Sequence, residues 1–364
     1  MKDSVLLFFA DCAVSASIVV TPLFAKGLGA SDFDLGLIGA TYGLALLFSS
    51  YVFGWAADVF GRGRLLKVGL AIAVFIFPLH AFSFNPLCLI ALRGLAGFCA
   101  GMYPPAVAAH AYEARGRLGR LISFGALGWG VGSLLISFIP LYRDVFLICG
   151  ALFLASFLIS LKLEIKDARL DVPLFPRDVI KRGLPVYLSF FLRHMGANAI
   201  WAIFPLFLKE IGANDFWIGV TYATNTFTQF LIMPLVDRFK SSRLVACGLA
   251  FSTATFLAYS LAENYLQIVP VQLLLACSWS FLYVGALTYV AERGEERATS
   301  IGFLGTVRGL AVTIGPFFGG AISQLYGYRS TMIFAVAGST SGLALFMGYL
   351  ARRKRFENRA THQP

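Results

Sequence analysis

Sorted only into apolar and polar positions, the chain alternates long apolar runs with short polar breaks. Twelve runs stand out. The first six are Val5 to Ala25, Leu35 to Ala57, Leu65 to Phe84, Leu87 to Ala111, Leu121 to Leu141 and Val145 to Leu163. The second six are Leu184 to Leu208, Trp217 to Val236, Leu244 to Ala262, Leu266 to Val290, Ile301 to Tyr326 and Thr331 to Leu350. Each is close to the ~20 residues with which a helix crosses a bilayer core of about 30 Å. The expected structure is an all-α membrane protein with twelve transmembrane helices.

The longest polar interval is Lys162 to Arg182, where Pro173 and Pro176 interrupt a densely charged segment. It divides the chain into an N-terminal six-helix bundle, residues 1–161, a linker over 162–182, a C-terminal six-helix bundle over 183–351 and a basic tail over 352–364. The halves share more than length. Phe8, Pro22, Leu23, Phe24, Lys26, Gly29, Ala30 and Asp32 return 183 positions later as Phe191, Pro205, Leu206, Phe207, Lys209, Gly212, Ala213 and Asp215. Phe33 and Gly36 continue the register to Phe216 and Gly219. A doubled half-protein explains the match, and two pseudo-symmetric bundles place a binding site between them.

Composition agrees with a lipid solvent: 58% of 364 residues are hydrophobic and 13% charged. Charge then sets the orientation. Of the 30 Lys and Arg, Lys26, Arg143, Lys209 and Arg329 fall on one set of loops, and Arg93, Arg193 and Arg308 fall inside runs. The rest gather on the other set of loops and the termini, including Lys166 in the linker and Arg352, Arg353, Lys354, Arg355 and Arg359 in the tail. The positive-inside rule therefore puts both termini in the cytoplasm of a multi-pass cell-membrane protein. The net charge of +11 is accounted for by topology and needs no nucleic-acid partner. The first run is not read as a signal peptide, because of its length, its internal Asp11 and its match to the seventh. Six isolated cysteines, with no C-x-x-C, give no disulfide framework and no metal site.

The loop after the second run reads Gly54-Trp-Ala-Ala-Asp58-Val-Phe-Gly61-Arg62-Gly-Arg64. It resembles the G-x-x-x-D-R-x-G-R-[RK] loop of the major facilitator superfamily, with Val59 in place of the first arginine and the last basic residue displaced to Arg64. A weaker copy, Asp237-Arg238 with Met233 for the glycine, stands in the second half. The resemblance implies a gate in which the aspartate caps a helix of the opposite half and the arginine ties it down. A carboxylate at a helix N-terminus gains from the dipole and the free N–H groups, by about 0.3 to 2 kcal/mol. The run from Arg93 through Gly97 to Gly101 is similar to the family's R-x-x-x-G-x-x-x-G pattern, whose arginine is implicated in proton coupling and whose glycines let a neighbouring helix approach. Gly315-Pro316-Phe-Phe-Gly319-Gly320 resembles the family's antiporter run, but sits in the eleventh span instead of the fifth. It is read as a bend and packing element.

The repeat also selects a site. Asp11, Ser15 and Ile18 correspond to His194, Asn198 and Trp201, each triplet on one helix face. Asp11 and His194 are the groups able to exchange protons near neutral pH, although a packed, structural histidine is the competing reading of His194. Arg93, Arg193 and Arg308 outnumber Asp11 within the spans, so the cavity should attract anions unless these arginines tie helices together. Asn225 and Gln229, with Thr221 and Thr228, form a polar stripe on the eighth span.

The resulting expectation is a secondary transporter of the major facilitator type, without cofactor, functioning as a monomer in the lipid bilayer and moving a small organic or inorganic anion together with protons. Proton-coupled export of multidrug, amphipathic compounds is the alternative. A membrane enzyme or sensor is a third class, but no G-x-S-x-G, H-E-x-x-H or phosphate-cradling loop is present.

Overall fold

A computed structural model of the chain describes residues 1–30, 32–135, 138–139, 141–165 and 169–360, and the side chains among these except those of Asp32, Phe33, Asp215 and residues 353–360. Lys166 of the linker and the side chains of Arg353, Lys354, Arg355 and Arg359 therefore lie outside the description. Twelve α-helices make up the first half, α1 Lys2–Gly27, α2 Asp32–Phe60, α3 Arg62–Leu79, α4 Pro86–Arg115, α5 Gly119–Leu135 and α6 Tyr142–Leu161, and the second half, α7 Arg177–Glu210, α8 Asp215–Val236, α9 Ser241–Leu261, α10 Tyr265–Ala291, α11 Arg297–Tyr326 and α12 Tyr328–Ala360. Among the described residues, ten of these helices are long and apolar enough to cross a membrane. The described part of α5 is 17 residues long, and α8 is diluted by its stripe of Thr221, Thr224, Asn225, Thr228 and Gln229.

Two charged segments expected as linker and tail are partly helical. Arg177 to Arg182 forms the opening turns of α7 after Pro176, a residue suited to a helix start because it lacks an N–H that would go unpaired there. The basic segment from Arg352 continues α12 to Ala360.

The repeated residues have a geometric reason to recur. At the end of α1 the Gly29 N–H donates to Lys26 O at 3.0 Å and the Ala30 N–H to Ala25 O at 3.0 Å. At the end of α7 the Gly212 N–H donates to Lys209 O at 3.1 Å and the Ala213 N–H to Leu208 O at 2.9 Å. Both are Schellman caps, which need a left-handed residue, and Gly29 and Gly212 have φ of 82° and 93°. Asn85, Asn214 and Asn264 cap the starts of α4, α8 and α10 by accepting the N–H of Cys88, Trp217 and Leu266.

Packing repeats the symmetry. α1 lies on α5 and α6 as α7 lies on α11 and α12; α2 lies on α4 as α8 on α10; and α3 lies on α4 and α6 as α9 on α10 and α12. Glycines set the closest approaches. A Cβ on Gly97 would strike the backbone of Tyr42, and one on Gly101 would strike Ser49 and Ser50, so the fourth-span pattern packs α4 against α2. Gly315 abuts Met195 and Asn198, and Gly319 abuts Ala199, so the run around Pro316 packs α11 against α7. The halves meet through α2 with α11 and α5 with α8. Both seams end in the same contact with partners exchanged: Gly43 against Thr313, and 183 positions later Thr226 against Gly130. Beyond it, toward the face opposite the termini, Gly36, Gly39 and Gly320 meet nothing within 4 Å. The halves are thus joined at the face carrying the termini, called the basic face below, and parted at the far face.

Candidate functional site

On the basic face, Asp58 at the end of α2 is fully buried. Its Oδ2 accepts the Thr299 N–H at 2.7 Å and the Thr299 hydroxyl at 2.8 Å, so a carboxylate of one half neutralises the N-terminus of α11 in the other. Its Oδ1 accepts from Arg62 Nε at 2.9 Å and Nη2 at 2.6 Å. Arg62 also donates to Glu295 O at 3.0 Å and pairs with Glu113, which takes a second bond from Arg297 at 2.8 Å. Gly61, with φ of 106°, makes the turn that brings Arg62 back under Asp58. Gly54 sits against Ala298 and Gly302, leaving no room for a side chain on either helix at the crossing. The linker straps this end: Trp55 Nε1 donates to Val172 O at 2.8 Å and the Leu170 N–H to Asp58 O at 2.9 Å.

The second copy works differently. Asp237 Oδ1 accepts the N–H groups of Leu118 and Gly119 at 3.2 and 2.7 Å, capping α5 from the opposite half. Here the small residue is on the partner helix: Gly119 lies against the backbone of Met233. Arg238, in the turn after α8, donates back to Leu235 O of that helix at 3.0 Å and is exposed, and Arg64 is exposed with no bond in the latch among the described residues. Neither arginine reaches the other half. Glu113, Thr299 and Gly302 take their place, and none of the three belongs to the loop motif itself.

Deeper in the membrane, Asp11 points into the protein. Its carboxylate lies against Gly125 of α5, faces the Tyr103 side chain of α4, and is within electrostatic reach of Arg308 of α11. The repeat gives this cluster a second meaning: Gly125 and Arg308 are 183 positions apart, as are Asp11 and His194. The first half offers an acid beside a glycine, and the second a histidine near an arginine.

Arg93 and Arg193 do not join that cluster. Arg93 donates to Ser17 Oγ at 3.3 Å with its guanidinium 4.4 Å from the Tyr42 ring centroid. Arg193 donates to Ser252 Oγ at 2.8 Å and lies 5.3 Å from the rings of both Phe256 and Trp279. His194 stacks on Trp279, which stacks on Tyr283, whose hydroxyl faces Arg308 at 3.4 Å. Asn198 turns back to His194 O of its own helix, and Trp201 packs edge-on to Phe204 and beside Tyr222. Asn225 joins Gln229 to Gln272 of α10, which donates to the Tyr259 hydroxyl at 2.8 Å. Tyr42, Tyr103, Gln272 and Tyr259 were not singled out from the sequence, because a lone polar residue on an apolar helix has no periodic partner to mark it. Arg308 also lines a cavity of about 40 Å³, with Ser50, Pro104 and Tyr283, between this cluster and the latch.

Comparison with known proteins fits this arrangement. The model of the Major Facilitator Superfamily matches residues 4–180 and 186–364, and the chain belongs to that superfamily. It is a multi-span membrane transporter, not an enzyme. Quinolone resistance protein NorA of Staphylococcus aureus (strain MSSA476) is 23% identical over 372 residues, with 94% of each chain covered. The multi-drug resistance efflux pump PmrA homolog of Lactococcus lactis subsp. lactis (strain IL1403) is 24% identical, covering 96% of this chain and 95% of that one. Among solved structures, the human organic anion transporter MFSD10 (TETRAN) superposes with a TM-score of 0.78 at 15% identity, over 95% of this chain and 98% of its own. A mutant of the nucleoside transporter NupG superposes with a TM-score of 0.65 at 13% identity over the same shares.

Proposed function

We propose that the protein exports amphipathic organic compounds in exchange for protons, by rocking residues 1–161 against residues 183–351. The observation that carries this reading is the position of Asp11, a carboxylate deep in the spans, held where α1, α4, α5 and α11 converge. A group there can take a proton from one side, lose its attraction for Arg308, and release the proton to the other side once the bundles have moved. The walls nearby are aromatic: Tyr42, Tyr103, Tyr283, Trp279 and Trp201. Such walls suit flat, apolar substrates better than small hydrated ions. NorA and the PmrA homolog are described as resistance and efflux proteins, which favours export over the small-anion reading.

By the positive-inside rule the basic face is cytoplasmic, so the latched basic face and parted far face correspond to an outward-facing state. Arg62, Glu113, Asp58 and Asp237 hold that state, and the protein works as a monomer in the bilayer. Anion transport is retained as a second reading because Arg93 and Arg193 pair with no carboxylate among the described residues.

The two readings separate in an efflux-deficient bacterium expressing the protein. Export predicts lower steady-state accumulation of ethidium and of a fluoroquinolone, reversed by a protonophore. Unchanged accumulation of both, together with gradient-driven movement of small carboxylates or phosphate, would replace it with the anion reading.

A further inference from the structure

We propose that the far ends of α7 and α11 form a second ligand site, which takes an ammonium or aromatic cation carried on an apolar body, with Glu210 as its counter-charge. This rests on the export reading and gives it a release site. The two helices cross tightly where Gly319 abuts Ala199. Past that crossing, their far ends and the start of α12 line a groove of about 600 Å³, a size that accepts drug-like molecules. Ile203, Leu206 and the rings of Tyr326 and Tyr328 supply apolar and aromatic wall. Tyr326 is 74% exposed, so its face is free to meet a cation.

Two opposite charges line the groove, and they are held differently. Arg329 lines it, but its guanidinium donates to Ser260 O at 2.6 Å and Ala262 O at 2.7 Å, fixing it across the chain turn after α9. Glu210 is exposed and forms no ion pair among the described residues. The fold itself does not ask for this acid. In the first half the equivalent of Glu210 is Gly27, and the equivalent of Tyr326 is Arg143. A carboxylate and an exposed tyrosine have thus been placed in one half only, where the other half has a glycine and a cation. Glu210 lies 16 residues beyond His194, about 24 Å along α7, so the groove is separate from the central cluster and near the far-face membrane boundary.

A cationic substrate leaving the centre and the amine headgroup of a lipid share this chemistry, and the test distinguishes them. Purified protein carrying Asp11→Asn, so that the central carboxylate is neutral throughout, is titrated with ethidium with and without Glu210→Gln. Loss of the carboxylate should weaken saturable binding about tenfold, the scale of one charge-assisted contact, and Tyr326→Ala should weaken it too. Competition by phosphatidylethanolamine but not phosphatidylcholine in nanodiscs would identify a lipid amine as a natural occupant of the same site. Equal ethidium affinity with and without Glu210 would overturn the proposal. In cells, Glu210→Gln should reduce export of ethidium while sparing a neutral substrate, and equal loss of both would contradict recognition by charge. A wild type that exports neither compound would count against the export reading alone, because the binding titration still decides the groove.

Discussion

Asp58 and Thr299, one at the end of α2 and the other in the first turn of α11, are joined by two hydrogen bonds of 2.7 and 2.8 Å across the boundary between the halves. The same carboxylate holds Arg62, which is fully buried. Asp58→Ala therefore removes a helix cap and leaves the buried Arg62 cation with Glu113 as its remaining carboxylate. Breaking a buried pair in this way costs about 3 kcal/mol. Lower thermal stability of the purified protein and greater labelling of a cysteine at the basic face are the expected results. Unchanged values for both would mean that the latch does not hold the closed face.

Asp237 makes the equivalent cap without a buried arginine, so its loss should matter less. Asp237→Ala is expected to destabilise by about 1 kcal/mol, the usual worth of a helix cap. Arg238→Ala, at an exposed position bonded back to α8, should leave stability and transport as they are. Arg62→Ala should abolish transport. Equal effects of the two arginine variants, in the same melting and efflux assays, would contradict the asymmetry between the two loops.

Gly125 and Gly132 lie on one face of α5 but touch different parts of α1. A methyl on Gly125 would meet the end of the Asp11 side chain, which can swing away, whereas one on Gly132 would meet the backbone of Cys12, which cannot. Gly125→Ala should keep nearly wild-type stability and lose transport, and Gly132→Ala should lose stability. Normal transport by Gly125→Ala would show that the position of the Asp11 carboxylate is not critical.

The contacts Gly54 with Gly302, Ser50 with Gly305, Leu47 with Gly309 and Gly43 with Thr313 keep one antiparallel register along α2 and α11. Continuing it places Gly36 opposite Gly320, both open at present. When the far face closes, these two should meet. Cysteines at both positions, in a background lacking the native thiols, should cross-link only in that state, since a disulfide needs Cα atoms within about 7 Å. Transport should stop on oxidation and return on reduction. Absence of any cross-link under conditions that close the far face would exclude this register.

Much of this was legible in the sequence because it depends on local geometry. Lys26, Gly29 and Ala30 recur as Lys209, Gly212 and Ala213 because a Schellman cap needs a left-handed glycine at that place. Asp58, Gly61 and Arg62 could be read because a cap, a turn and an ion pair follow one another along the chain. Tyr103 could not, since it is defined by Asp11 on a different helix and belongs to no spaced pattern, and the glycine stripe Gly125, Gly128 and Gly132 does not by itself say that Gly125 meets Asp11. The arginines show the same limit. Counting Arg93, Arg193 and Arg308 together suggested one positive cavity, but Arg93 lies under Tyr42 with Ser17, and Arg193 lies between Phe256 and Trp279. Only Arg308 acts on Asp11. Net charge in a span does not say which cations face a common space.

The most direct test uses proteoliposomes with an acidic interior and ethidium outside. Inverted wild-type molecules should accumulate the dye against its gradient as protons leave, and Asp11→Asn should bind dye yet accumulate none. Accumulation by Asp11→Asn equal to wild type would show that the proton travels by another residue and that the central cluster does not couple transport.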